Sequence, residues 1–196
     1  MCFFLFQVYE IHINGVRHCS LRYRQLHTLH EKLKREFHPS TLPTFPPKKL
    51  MPLNLAQLED RRLKLEKYLQ LLSQDPRVSN SVVFNGFLLA AQQETASEKS
   101  EEVNLDVFLM NDSKTTVRGL TILQTEEVLE KACRQLGVPD ELVYYFALFL
   151  VQRDESSGKI CIIRKLQDYE SPYISQKSFV KNSASTKLVL RKRYLF

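Results

Sequence analysis

Residues 42–50 read Leu42-Pro43-Thr44-Phe45-Pro46-Pro47-Lys48-Lys49-Leu50, three prolines leading into a lysine pair. Proline fixes φ and removes a backbone donor, so this segment can neither continue a helix nor pair inside a sheet. It predicts a stiff, extended loop, and stiffness lowers the ordering cost of holding a lysine over a ligand. On its amino side, Leu26, Leu29, Leu33 and Phe37 recur at helical spacing and mark one apolar stripe. On its carboxyl side, Leu58, Arg62, Leu65, Leu69 and Leu72 share a face of a second helix, with Tyr68 beside them and Asp75-Pro76 to end it. Helical phase separates two adjacent arginines there. Arg62 falls with the leucines, where its stem can cover the core, whereas Arg61 points to the neighbouring side and is the better ligand candidate.

Further from the loop, Val8, Glu10, His12 and Asn14 alternate with Tyr9, Ile11 and Ile13, and Asn14-Gly15 predicts a tight turn. A return strand through Val16, Cys19 and Leu21 ends at Arg22-Tyr23. Val83, Phe84, Phe87, Leu88 and Ala91 mark the last helix of this half, and the polar run from Gln92 to Glu102 predicts a connector. The second half opens with Val103, Leu105, Val107 and Leu109, turns at Asn111-Asp112, and returns through Val117 and Leu120. Thr125 is the expected N-cap of a helix carrying Glu126 and Glu127 in its first turn, Leu129, Ala132, Cys133 and Leu136 on its buried stripe, and Gly137 as its stop. Phe146 to Val151 predicts a buried strand, Asp154 to Gly158 a hairpin loop, Ile160 to Arg164 the return, and Leu188-Val189-Leu190 the strand that closes the sheet. The class is α+β, a small antiparallel sheet with helices followed by a β-grasp unit. The divisions fall at 1–95, a connector 96–102, and 103–196.

A net charge of +6 favours an acidic partner, although it also serves solubility. The basic residues are interrupted and follow no nucleic-acid-binding pattern, so no nucleic acid is expected. The apolar opening MCFFLF is far shorter than the ~20 residues of a membrane span, and it lacks the form of a signal peptide. The cysteines form no CxxC pair and read as reduced thiols, with Cys133 and Cys161 on core faces. The histidines form no HExxH, and His27 and His30 read as packing or surface residues. With five glycines, no Walker loop and no GxSxG, the sequence predicts neither catalysis nor a cofactor or metal.

What remains is a constellation. Arg22-Tyr23, Lys48-Lys49 and Arg61-Arg62 are three basic elements that can bracket one anion, and charge-assisted donors with a guanidinium fork suit phosphate. Such pairs are also common on solvated surfaces. The composite of Arg22-Tyr23-Arg24-Gln25-Leu26, the PxxPP loop with its lysines, and Glu59-Asp60-Arg61-Arg62 through Lys67-Tyr68-Leu69 resembles a PX domain, a three-stranded sheet packed on helices. That resemblance implies phosphatidylinositol 3-phosphate as ligand. Arg22 would hold the 3-phosphate, Tyr23 would stack on the inositol ring, Lys48 or less readily Lys49 would meet the 1-phosphate, and Arg61 would grip ring hydroxyls. Leu50, Met51 and Leu53 would enter the bilayer interface.

With its second unit, and with Ala147 to Val151, Arg164 to Tyr173 and Leu190 to Tyr194 as characteristic runs, the chain resembles the sorting nexins that join a PX domain to a FERM-like module. The resemblance implies a monomeric, cytoplasmic adaptor lying peripherally on early endosomal membranes. In that family NPxY cargo binds a later FERM lobe that this sequence does not reach. The first lobe also resembles Ras-association modules, which makes Arg118 or the run Lys187, Arg191, Lys192 and Arg193 candidates for small-GTPase contact. A protein-interaction scaffold using the proline-rich loop or the ubiquitin-like unit is the alternative function. One departure stands out: ahead of Val8 the family has a fuller first strand, for which only Phe3, Phe4 and Phe6 are on offer.

Overall fold

A computed structural model describes residues 8–49, 51, 53–97, 99–153, 160–180 and 186–193. The shortened strand at Phe3 to Phe6, the hairpin loop at Asp154 to Gly158, and Leu50, Pro52 and Tyr194 lie outside the described residues. Contacts divide the chain into two compact units, Met1–His12 with Cys19–Ala91, and Ile13–His18 with Gln92–Phe196.

Strands β1 (Tyr9–Ile13) and β2 (Val16–Leu21) form a two-stranded sheet. The turn between them has φ of 52° at Asn14 and 78° at Gly15, the left-handed pair that an Asn-Gly hairpin supplies at little steric cost. Helix α1 (Tyr23–Glu36) buries Leu26, Leu29 and Leu33, as their spacing predicts, and Phe37 caps its end. The strand thus stops at Leu21, one residue before the expected basic strand end: Arg22 is the N-cap of α1 and Tyr23 its first residue. The cause is local, since the Arg22 backbone N–H donates to Gln25 Oε1 at 2.8 Å, an arrangement that starts a helix.

After the extended loop, Asn54 caps α2 (Leu55–Gln74) by accepting from the Gln57 backbone N–H at 2.9 Å. Leu65, Tyr68 and Leu72 are buried along it, and Asp75 ends it while capping the one-turn α3 (Pro76–Ser79). Helix α4 (Val82–Ala96) buries Phe84, Leu88 and Ala91. It runs through Gln92 to Ala96, part of the polar stretch read as connector, and Gln92 is itself buried. In the first unit Cys19, Leu21, Leu26, Leu65 and Ala91 form one core, against which Tyr23 and Phe45 pack.

The second unit holds β3 (Glu102–Phe108), β4 (Lys114–Leu120), α5 (Thr125–Gln135), β5 (Phe146–Arg153), β6 (Ile160–Lys165), α6 (Pro172–Val180) and β7 (Thr186–Lys192). The strand order is β4-β3-β7-β5-β6, with β3 and β7 parallel and the other pairs antiparallel. The last strand therefore enters the middle of the sheet. Its Leu188 and Leu190, with Leu105, Val107, Val117, Leu148 and Leu150, face Val128, Leu129, Ala132 and Cys133 of α5. This is the β-grasp arrangement, in which one helix covers one face of a mixed sheet.

Several details depart from expectation. Gln124 caps α5, while Thr125 is its buried first residue and donates from both backbone N–H and Oγ1 to the Glu170 carbonyl at 2.8 Å. Gly137, at φ 70°, stops the helix as its position predicts. Cys161 is exposed rather than buried. It lies on edge strand β6, where the register shifts between Leu150 and Val151 so that Leu150 faces Arg164 and Val151 faces Ile162. That bulge breaks the alternation on which the burial expectation rested. Helix α6 was not foreseen. Its signal is Ser171-Pro172, a capping hydroxyl that accepts from the Ile174 N–H at 3.2 Å, followed by proline at the first helical position.

Candidate functional site

The candidate site draws on the end of the hairpin, the proline-rich loop and the first turns of α2. Tyr23 is the hub. Its hydroxyl donates to the Pro46 carbonyl at 2.8 Å, tying the loop two residues before Lys48 to the start of α1. Pro46 is buried, whereas Lys48 and Lys49 are exposed. Phe45 is the loop's second anchor. Its ring stacks on His30 at 4.8 Å and 13°, and meets Tyr68 edge-on at 4.9 Å and Tyr23 at 5.6 Å. The Tyr68 hydroxyl lies 2.9 Å from His30 Nδ1. Side chains from α1 and α2 thus grip the loop that carries Lys48.

The two arginines of α2 have separated. Arg62 is held by Glu59 at 2.7 Å and by Glu66 at 3.0 Å, an ion-pair set along the exposed helix surface. Its guanidinium is committed to carboxylates, which push its pKa up still further. Arg61 instead turns towards Tyr23, its guanidinium carbon 4.5 Å from the ring centroid. Its Nη2 is buried without a hydrogen-bond partner. Buried donors are nearly always satisfied, so this orphaned guanidinium nitrogen makes Arg61 the candidate donor of the site. Burial pushes the Tyr23 phenol up, with Arg61 pulling it back and Tyr9 adding to the rise. Burial also pushes the Tyr68 phenol well above its ordinary range.

Of the four residues expected to bind, Tyr23 and Arg61 are in contact, Arg22 adjoins Tyr23 in the chain with its side chain exposed, and Lys48 stands two residues beyond Tyr23's partner Pro46. The stacking expected for Tyr23 meets a complication, since Arg61 lies over its ring. Beyond the loop, Met51 is 81% exposed and Leu53 half-buried. Sequence reasoning missed the clasp of His30, Phe45 and Tyr68. Its signal was an aromatic residue inside a proline run, which must pack somewhere if the loop is to be ordered.

In the second unit, Arg118 lies on edge strand β4 and pairs with Glu102 at 2.6 Å. Lys187, Arg191 and Lys192 of the run near the carboxyl end lie on β7, an interior strand rather than an edge, and Arg193, just beyond it, reaches Asp168 at 3.4 Å.

Residues 9–91 match the PX domain family, and residues 103–195 match the F1 lobe of the sorting nexin 17/27/31 FERM domain. The chain is a PX domain followed by a ubiquitin-like F1 lobe. It is 50% identical to sorting nexin-17 of Homo sapiens over 186 residues, which covers 95% of this chain and 39% of that protein. Sorting nexin-17 of Danio rerio is 48% identical with the same coverage, and sorting nexin-31 of Mus musculus is 41% identical over 96% of this chain and 42% of that protein. The chain thus belongs to the sorting nexins that join a PX domain to FERM lobes, and it spans about two-fifths of the length of these curated relatives.

Proposed function

We propose that this chain binds phosphatidylinositol 3-phosphate through Arg22, Tyr23, Lys48 and Arg61 and so brings a non-catalytic sorting adaptor to early endosomal membranes. The observation that carries this reading is the contrast on α2, where Arg62 is consumed by two carboxylates while Arg61 offers a buried, unpartnered donor beside Tyr23. An incoming headgroup exchanges the contact between Arg61 and Tyr23, worth about 0.5–1 kcal/mol near a surface, for charge-assisted hydrogen bonds of roughly twice neutral strength. The exchange favours binding. Arg22 takes the 3-phosphate, Lys48 the 1-phosphate and Arg61 the ring hydroxyls, with the inositol against Tyr23. Met51, with Leu50 and Leu53 beside it, adds interfacial attachment that no single headgroup supplies.

Flotation with vesicles carrying one phosphoinositide at a time tests this. Arg22→Ala is expected to abolish the preference for the 3-phosphate lipid. Met51→Asp is expected to weaken attachment several-fold while leaving that preference in place. Unchanged attachment after loss of both Arg22 and Arg61 would favour the protein-interaction scaffold instead.

A further inference from the structure

The face of the second sheet that turns away from α5 is apolar across four strands. On β7, Leu188 and Leu190 enter the core, which leaves Lys187, Val189 and Arg191 on the opposite side. Register extends this row sideways. Val189 lies opposite Phe108 of β3 and Phe149 of β5, while Val151 of β5 lies opposite both Lys187 and Ile162. Ala147, Phe149 and Val151 are buried and pack with Val189 as a small second core. At its margin Met110 is 69% exposed, Ile160 64% and Ile162 41%. A groove of about 90 Å³ opens there, lined by Phe108, Asp112, Val151, Ile160, Lys187 and Arg191 among others, so that two cations face one carboxylate.

Two cations overhang this floor. Lys187 Nζ lies 4.3 Å from the Phe108 centroid, and the Arg191 guanidinium carbon 5.8 Å from that of Phe149. Among the described residues neither is paired with a carboxylate. Asp106, on the same sheet, is already taken by Lys114 at 2.6 Å and Thr116 at 2.7 Å.

We propose that this face docks an extended acidic segment of another protein, its aliphatic side chains in the groove and its carboxylates on Lys187 and Arg191. Size argues against a small molecule, whose pockets run to roughly 300–1,000 Å³. Sign argues against a second copy through the same patch, because a two-fold contact would bring these cations against themselves. Shape argues against a bilayer. The centre of the apolar floor, Phe149 and Val151, is buried. Lys187 and Arg191 stand over the rings of Phe108 and Phe149, so a partner must supply side chains that reach past the cations.

The isotopically labelled 196-residue chain, titrated with a synthetic peptide of alternating leucine and glutamate, provides the test. Chemical-shift changes are expected at Phe108, Val151, Ile162 and Val189. Affinity should fall about tenfold or more in the double variant Lys187→Glu, Arg191→Glu, and severalfold in Ile160→Ser, with circular dichroism unchanged. A peptide of alternating leucine and lysine should bind the double variant better than the parent chain. Equal binding of both peptides by the parent, shifts located elsewhere, or no binding of the leucine-glutamate peptide would overturn the proposal. So would self-association that Ile160→Ser abolishes, or attachment to anionic vesicles that the double variant loses.

Discussion

Arg61 and Arg62 are chemically identical neighbours whose fates differ by about 100° of helical rotation. That rotation places one beside Glu59 and Glu66 and the other against Tyr23. Exposed ion pairs of the first kind are screened by solvent and contribute little to stability, so Arg62 is a matter of surface electrostatics. His30 carries the other residue-scale consequence. Burial, together with the nearby Lys34 and His27, holds its imidazole below the ordinary 6.5, and Glu31 only partly opposes them. Just below pH 6.5 the unfolded chain therefore binds a proton that the folded chain refuses, and stability from this residue falls as pH drops. The melting temperature is expected to decline from pH 7 to 5, with a shallower slope in His30→Gln, which keeps a polar partner for Tyr68. An identical slope in the variant would show that His30 is not responsible.

Among the elements, the proline-rich loop matters most, because it has no ladder of its own and is ordered by what grips it. Phe45 contacts His30, Tyr68, His27 and Tyr23, and Pro46 accepts from Tyr23. Phe45→Ala is expected to cost about 2 kcal/mol by urea denaturation, against roughly 3–5 kcal/mol for a fully buried phenylalanine, since this ring is only half-buried. The same variant should weaken headgroup binding although Phe45 touches no ligand, because Lys48 loses its fixed approach. Loss of stability with binding intact would mean that the loop need not be preorganised. Elements set by local chemistry were legible in the sequence: Asn14-Gly15 permits positive φ, and the leucines of α1 repeat at helical spacing. Those decided by tertiary partners were not. The exposure of Cys161 at a bulge, the extension of α4 through Gln92, and the clasp around Phe45 each depend on a neighbour that sequence spacing leaves unnamed.

For the whole molecule, a net charge of +6 draws the chain towards any anionic surface, yet such attraction is screened beyond about 10 Å at 0.1 M salt. Selectivity must come from close contacts instead. The proposed basic constellation was legible in the sequence because Arg22, Lys48 and Arg61 sit in recognisable surroundings. Which of the paired arginines is committed elsewhere required the carboxylates of α2. Calorimetric titration of short-chain phosphatidylinositol 3-phosphate into Arg61→Ala and Arg62→Ala, side by side, tests this division most directly. Arg61→Ala is expected to lose at least about tenfold in affinity, equivalent to 1.4 kcal/mol, while Arg62→Ala stays within about twofold of the parent. Equal losses in the two variants, or binding untouched in both, would contradict it.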